Sequence, residues 1–343
     1  MPALHIANTQ FEWELKNRSD LKNSFSAHPL HTQLQFLPFL YAPPEDSVLL
    51  FHQPVGDYFD HLHQIRPHLP KAVYYDALNL ENIDTIESWG ASAAIENWAK
   101  KNQLIYSTPA ISIVKMVTAK SFAFENTPKL KKGAALHNKS ALFTWLEEDF
   151  WPKVIKTNYD TAGRGNRILP CKTALHDEEI LTFCQREWTR GQPVIGEPWV
   201  KRAIDFSTQW QIDNSIRFIG STLMECSERG SYLKSTITKE VPFDLAAHKQ
   251  MAMPLLEKIL KLGYFGPIGI DGFTFSGGQH ITEVNARKTM GWVALQLSQI
   301  LHCDLSIEMT SPNDAQCPLL PFQVQGLKPF KLQLDLMKSA LLN

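Results

Sequence analysis

What this chain lacks narrows its function before any motif is found. Its 34 basic and 35 acidic residues nearly cancel, leaving a formal net charge of -1. No excess of one sign marks it for nucleic acid or for an anionic membrane surface. Its five cysteines, Cys171, Cys184, Cys226, Cys303 and Cys317, are odd in number, far apart and without a CxxC pair. That pattern argues against a disulfide framework and a zinc site, and it fits a reducing compartment. No apolar run reaches the roughly 20 residues of a membrane span. The opening "MPALHIANTQFEWELKN" acquires charge too early for a signal peptide, so a cytoplasmic protein is expected. Neither GxGxxG nor GxxxxGK[ST] occurs, which leaves a dinucleotide fingerprint and a P-loop unsupported. The twelve histidines are scattered and form no obvious catalytic constellation.

What is there is a soluble globular composition, 44% hydrophobic and 20% charged over 343 residues, enough for two or three domains. The first third alternates strand-like pieces ("ALHIANT", "SVLLFHQ", "KAVYYDAL") with helical spacing in "SAAIENWAKKN", which suggests a small sheet flanked by helices. The pattern shifts near "STPAISIVKMVTAKSFAFE", where a domain boundary is expected. Beyond it "NKSALFTWLEEDF" reads as a capped helix, and "PLLEKILKLGYFG" as a helix stopped by Gly263. "PIGIDGFTF" and "HITEVNAR" read as a hairpin leading into a helix, and "KLQLDLMKSALLN" as a last helix.

The hairpin carries the sharpest chemistry. In a strand, residues i, i+2 and i+4 project the same way, so Glu283, Asn285 and Arg287 share one face. A three-residue loop, Ser276 to Gly278, pairs Phe275 with Gln279 and sets Asp271 opposite Glu283. A two-residue loop slips the register by one and separates them. Neighbouring carboxylates raise each other's pKa unless a cation lies between them, and an oxygen-only donor set suits Mg²⁺. The plainer reading of this face is a solvated acidic strand.

Two further pieces matter. In "VIKTNYDTAGRGNRI" an apolar strand ends in Lys156 and is followed by Gly163, Arg164 and Gly165, a combination able to grip a polyphosphate. In "IGEPWVKRAIDF" an extended run offers backbone groups and an apolar wall of the kind a purine needs. Either piece alone is generic, a turn or an ordinary strand.

In this order and spacing, from about Lys120 to Arg287, the pieces resemble the ATP-grasp superfamily, in its amino-acid and peptide ligase branch. The resemblance implies an α/β (α+β) chain in which two ATP-grasp subdomains clamp ATP behind a small Rossmann-like domain. It divides the chain at 1–115 (Rossmann-like), 116–195 (phosphate-loop subdomain), 196–310 (adenine hinge and metal hairpin) and 311–343 (C-terminal extension). Lys120 and Lys156 match the family's two nucleotide-binding lysines, and Gly163, Arg164 and Gly165 its loop over the phosphates. Glu197, Trp199 and Val200 match the adenine and hinge contacts, and Asp205 the ribose contact. Asp271, Glu283 and Asn285 match the Mg²⁺ ligands, for two ions with Mn²⁺ as an alternative. Arg287 matches the arginine that forks onto substrate and, with Lys156, is assigned to catalysis. The implied reaction joins a small-molecule carboxylate, an amino acid or short peptide, to an amine through an acylphosphate. No nucleic-acid or membrane partner is implied, and family habit suggests a homodimer. A small-molecule kinase and a non-catalytic nucleotide-binding regulator are the alternatives. The departures are a loop poorer in glycine than in carboxylases and Asp rather than Glu at position 271.

Overall fold

Short apolar strands separated by helices build a first, parallel sheet. The computed structural model describes residues 2–17, 21–22, 28–159, 165–172, 178–227 and 232–338. β1 (Ala3–Ile6), β2 (Ser47–Leu50), β3 (Lys71–Tyr74) and β4 (Thr85–Ser88) lie in the order β3-β2-β1-β4. β1 and β2 are buried along their whole length, as central strands covered on both faces are. Parallel pairing needs crossovers, and the helix Tyr58–Ile65 supplies one between β2 and β3. Ligands of such sheets bind outside the carboxyl ends of the strands. The segments leaving β1 and β4 there carry Thr9, Glu12, Trp89 and the Asn8–Gly90 hydrogen bond that ties them together.

The helices Ile111–Thr118 and Lys120–Asn126 lead out of this sheet, with Lys120 at the first position of the second helix. A second sheet follows: β5 (Ala134–Leu136), β6 (Lys153–Lys156), β7 (Asn166–Leu169) and β8 (Val194–Pro198), antiparallel in the order β5-β8-β6-β7. The capped helix expected near Asn138 is present at Lys139–Glu147, with the Asn138 side chain accepting from the Ala141 N–H. Its other end is closed by Lys153, a wholly buried lysine whose ammonium donates to the carbonyls of Trp145 (2.6 Å), Leu146 (2.9 Å) and Glu148 (2.9 Å). Leu142, Trp145, Ile155, Cys184 and Val194 form the core between this sheet and its helices.

A seven-stranded antiparallel sheet completes the chain. β9 (Arg202–Ile212), β10 (Ile216–Cys226), β11 (Tyr232–Thr236), β12 (Gly266–Phe275), β13 (Gly278–Asn285), β14 (Leu305–Thr310) and β15 (Gln333–Lys338) lie in the order β13-β12-β9-β10-β11-β14-β15. The helix Leu245–Lys261 ends as expected, with Gly263 at φ +89°. Its Leu255 and Leu256 share one buried cluster with Val293 and Leu297 of the helix Met290–Leu301 and with Phe36 and Phe39 near the start of the chain. One expectation fails at the C-terminal end. Gln333–Lys338 is a strand, not a helix, because its leucines at every second position bury Leu334 and Leu336 against the open edge of β14.

Candidate active site

The hairpin that brings the carboxylates together is built differently from expectation. Its turn has two residues, since Phe275 pairs with Gly278, not with Gln279. Such a turn alone would set Asp271 opposite Thr282. A β-bulge corrects the count: Gly272 pairs with Ile281, Asp271 pairs with Glu283, and Thr282 is left over, its hydroxyl donating to the Asp271 carbonyl at 3.0 Å. The bulge also explains why position 272 is glycine, for a Cβ there would lie 2.9 Å from the His280 carbonyl oxygen. Pairing and facing are therefore as expected, by way of two deviations that cancel.

Asp271 accepts hydrogen bonds from the Ser207 hydroxyl (2.5 Å) and the Asn285 amide (2.9 Å). Ser207 stands opposite it on β9 and is held by Gln209, which in turn accepts from Thr289 at 2.8 Å. Burial and the negative charge of Glu283 raise the Asp271 pKa, against the pull of the Ser207 bond. Glu283 shifts the other way. Burial pushes it up, but the Lys120 ammonium, 2.6 Å from its carboxylate, and Arg287 beyond it hold it below its usual value.

The donor set fits a hard divalent cation. Two carboxylates face each other, and the Asn285 amide nitrogen is engaged by Asp271, which leaves its carbonyl oxygen for a ligand. Among the described residues no group of three or more His, Cys, Asp or Glu side chains is placed to hold a metal alone. Mg²⁺ needs no such cage, since it keeps waters and shares ligand oxygens.

Lys156 ends β6 on the same face as Val154, whose cross-strand partner is Glu197, so the lysine reaches that glutamate diagonally. Its Nζ lies 2.5 Å from Glu197, and His280 Nε2 lies 3.2 Å from the other carboxylate oxygen. Burial pushes Glu197 up, but Lys156 and His280 outweigh it and hold the pKa down to about 2. His280 had no signal in the sequence. Its role follows only from the hairpin lying against β8.

Arg287 does not face open space. Its Nε and Nη2 both reach Glu12 Oε1 at 2.6 Å, and Nη1 donates to the Lys288 carbonyl at 3.0 Å. Lys288 in turn reaches Glu87 (3.1 Å) and the Ser88 carbonyl (2.8 Å). The end of β13 is thus tied to the carboxyl ends of β1 and β4 through two ion pairs that sequence reading missed.

A cavity of about 520 Å³ gathers these groups. Lys120, Lys156, Trp199, Asp205, Asp271, Glu283, Asn285 and Arg287 all line it. Asp205 is paired with Arg202 at 2.8 Å. Glu197 stands behind Lys156, buried, and Val200 is not among the lining residues. Gly165 is likewise off the wall, its carbonyl accepting from the Thr157 N–H at 2.9 Å. Gly163 and Arg164 lie outside the described residues.

Among solved structures the chain is similar to a biotin carboxylase from Campylobacter jejuni, with 12% identity over 91% of this chain and 76% of that one and a TM-score of 0.58. It is similar to N5-carboxyaminoimidazole ribonucleotide synthetase from Thermus thermophilus, with 12% identity over 99% and 94% and a TM-score of 0.56. A protein of the ATP-grasp superfamily from Archaeoglobus fulgidus aligns over 99% of this chain and all of its own, 100%, with 11% identity and a TM-score of 0.54. No family model and no curated protein matches the chain. At such low identities the likeness speaks to architecture: this chain has the ATP-grasp fold, as the order of its motifs implied.

Proposed function

We propose that the protein is an ATP-dependent carboxylate–amine ligase acting on an amino acid or short peptide. The observation that carries this reading is the convergence of two lysines, two facing carboxylates, Asn285 and Arg287 on one cavity of an ATP-grasp fold. Similar proteins support its coarser part, an ATP-dependent ligase: an N5-carboxyaminoimidazole synthetase was solved with ADP, and a 2-oxoglutarate carboxylase domain dimer with MgADP and bicarbonate.

A carboxylate is a poor electrophile and repels triphosphate, so both must be neutralised before in-line transfer. Lys120 and Lys156 supply positive charge for the phosphates, while Trp199 and Asp205 line the side on which the nucleoside would lie. Asp271, Glu283 and the Asn285 carbonyl would hold Mg²⁺, which would supply positive charge against that developing on the transferred phosphoryl group. In the first step the substrate carboxylate takes the γ-phosphoryl group, giving an acylphosphate and ADP. In the second an amine attacks the acyl carbon, phosphate leaves, and the nitrogen sheds a proton to complete the amide. Arg287 would orient the acyl oxygens, which requires it to share or leave Glu12. A homodimer is the assembly we expect.

The test is hydroxylamine trapping with Mg·ATP and amino acids offered singly and in pairs. A hydroxamate with ADP release supports the ligase. A stable phosphoester would make it a kinase, and nucleotide binding without ADP release across the panel would make it a regulator.

A further inference from the structure

The cavity does not end at the carboxylates. Crossing the seven-stranded sheet from β12 through β9 to β10, β11 and β14, its wall changes from Asp271 and Ser207 to Met224, Leu233 and Met309. Register fixes the change: Asp205 on β9 pairs with Met224 on β10, and Met224 with Ser235 on β11, so the three side chains stand in one row. Strands lie about 4.8 Å apart, which puts β11 roughly 14 Å from β12. Leu30, Leu34 and Leu332 complete the wall.

Two features make this end a binding surface and not surplus core. Leu233 and Leu332 stay 39% and 44% exposed although both line a hollow, so apolar surface there has no covering partner among the described residues. Among the described lining residues, those from β10, β11 and β14 include no Lys, Arg, Asp or Glu. Two nearby polar groups are engaged: Tyr232 donates to the Ile307 carbonyl at 3.3 Å, and Thr9 is bonded to His31 at 2.9 Å. A charged group entering here would lose its water and meet no counter-charge among the described lining residues of β10, β11 and β14. The nucleotide has its cationic partners, Lys120 and Lys156, near β12 and β13 and its nucleoside beside Trp199 and Asp205, so the wall beyond the Asp205–Met224 pair, on β11 and β14, is left to the co-substrate.

We propose that this end receives the side group of the carboxylate substrate, and that the substrate is an acid bearing a branched or aromatic hydrocarbon. Its carboxylate points toward Arg287 and the Asp271–Glu283 pair, and its side group toward Met224, Leu233 and Met309. The placement of the carboxylate rests on the ligase reading, whereas the apolar preference does not.

The experiment is calorimetric titration of the full chain, held with magnesium and a non-hydrolysable ATP analogue, by L-Leu, L-Phe, L-Met, Gly, L-Asp and L-Lys. The apolar acids should bind at least about tenfold more tightly than Gly, Asp or Lys. Met309→Lys should erase that preference and Met309→Leu should keep it, with melting curves showing that each variant is folded. Should Met309→Lys not fold, Ser235→Phe, which fills the same hollow, replaces it and should likewise exclude Leu and Phe. Equal or tighter binding of Asp, Lys or Gly overturns the proposal, as does the absence of binding by every apolar acid. Tight binding of Leu or Phe with no hydroxamate under trapping would remove the ligase reading and leave the apolar site standing. Hydroxamate from charged acids alone would do the reverse.

Discussion

The two ends of the cavity were assembled in different ways. At the charged end Asp271, Glu283, Asn285 and Arg287 come from one hairpin and its exit, within seventeen consecutive positions. At the apolar end Leu30, Met224 and Leu332 come from three remote parts of the chain. Charged chemistry here is encoded by local alternation, and apolar shape by long-range packing. The first can be changed one atom at a time, while the second responds to volume.

The largest effect should fall on the charged end. Glu283→Ala and Lys156→Ala each remove a group that would face phosphate or metal, and hydroxamate formation should drop by on the order of a thousandfold or more with the melting transition retained. Wild-type-like product from either would break the contrast between the ends. Arg287→Lys keeps the charge but loses the fork. Acid-dependent kcat/KM should fall by roughly ten- to a hundredfold in steady-state kinetics. At the apolar end Met224→Ala should weaken only the hydrophobic acids, by roughly tenfold in Kd, with no sharp loss for glycine. A uniform loss across all acids would show that the ends are not separable.

The smallest effect concerns acid. The folded pKa of Glu197, about 2, lies below its ordinary 4.5, so its ionised form stabilises the fold above pH 4.5 and that contribution is lost as pH falls from 4.5 toward 2. Melting temperatures of wild type and Glu197→Gln should therefore differ at pH 7 and converge on acidification. A gap that persists at pH 2 to 3 would assign the effect to packing instead.

How much of this was readable beforehand follows the same division. An apolar strand closing on a lysine announced Lys156, and alternation announced Glu283, Asn285 and Arg287. The turn was misjudged because loop length and bulge are set together, and only the bulge restored the expected partners. "KLQLDLM" already carried leucines at every second position, the period of a strand, and the edge of β14 supplied the partner that reading the segment by itself could not see. Glu12 stayed silent because it meets Arg287 across 275 positions. Ser207 and His280 stayed silent because an isolated serine or histidine in a strand says nothing until its neighbour is known.

Thr282 is, in strand-pairing terms, a spare residue. Ile281 turns to the core and Glu283, two positions on, turns to the cavity, which a regular strand would forbid. A chain with Thr282 deleted could close the same pairs as a flat ladder, so beyond its bond to the Asp271 carbonyl the residue contributes aim, through the extra twist that a bulge adds. Protein engineering could use this: that one deletion would separate how near the two carboxylates stand from the direction in which they point.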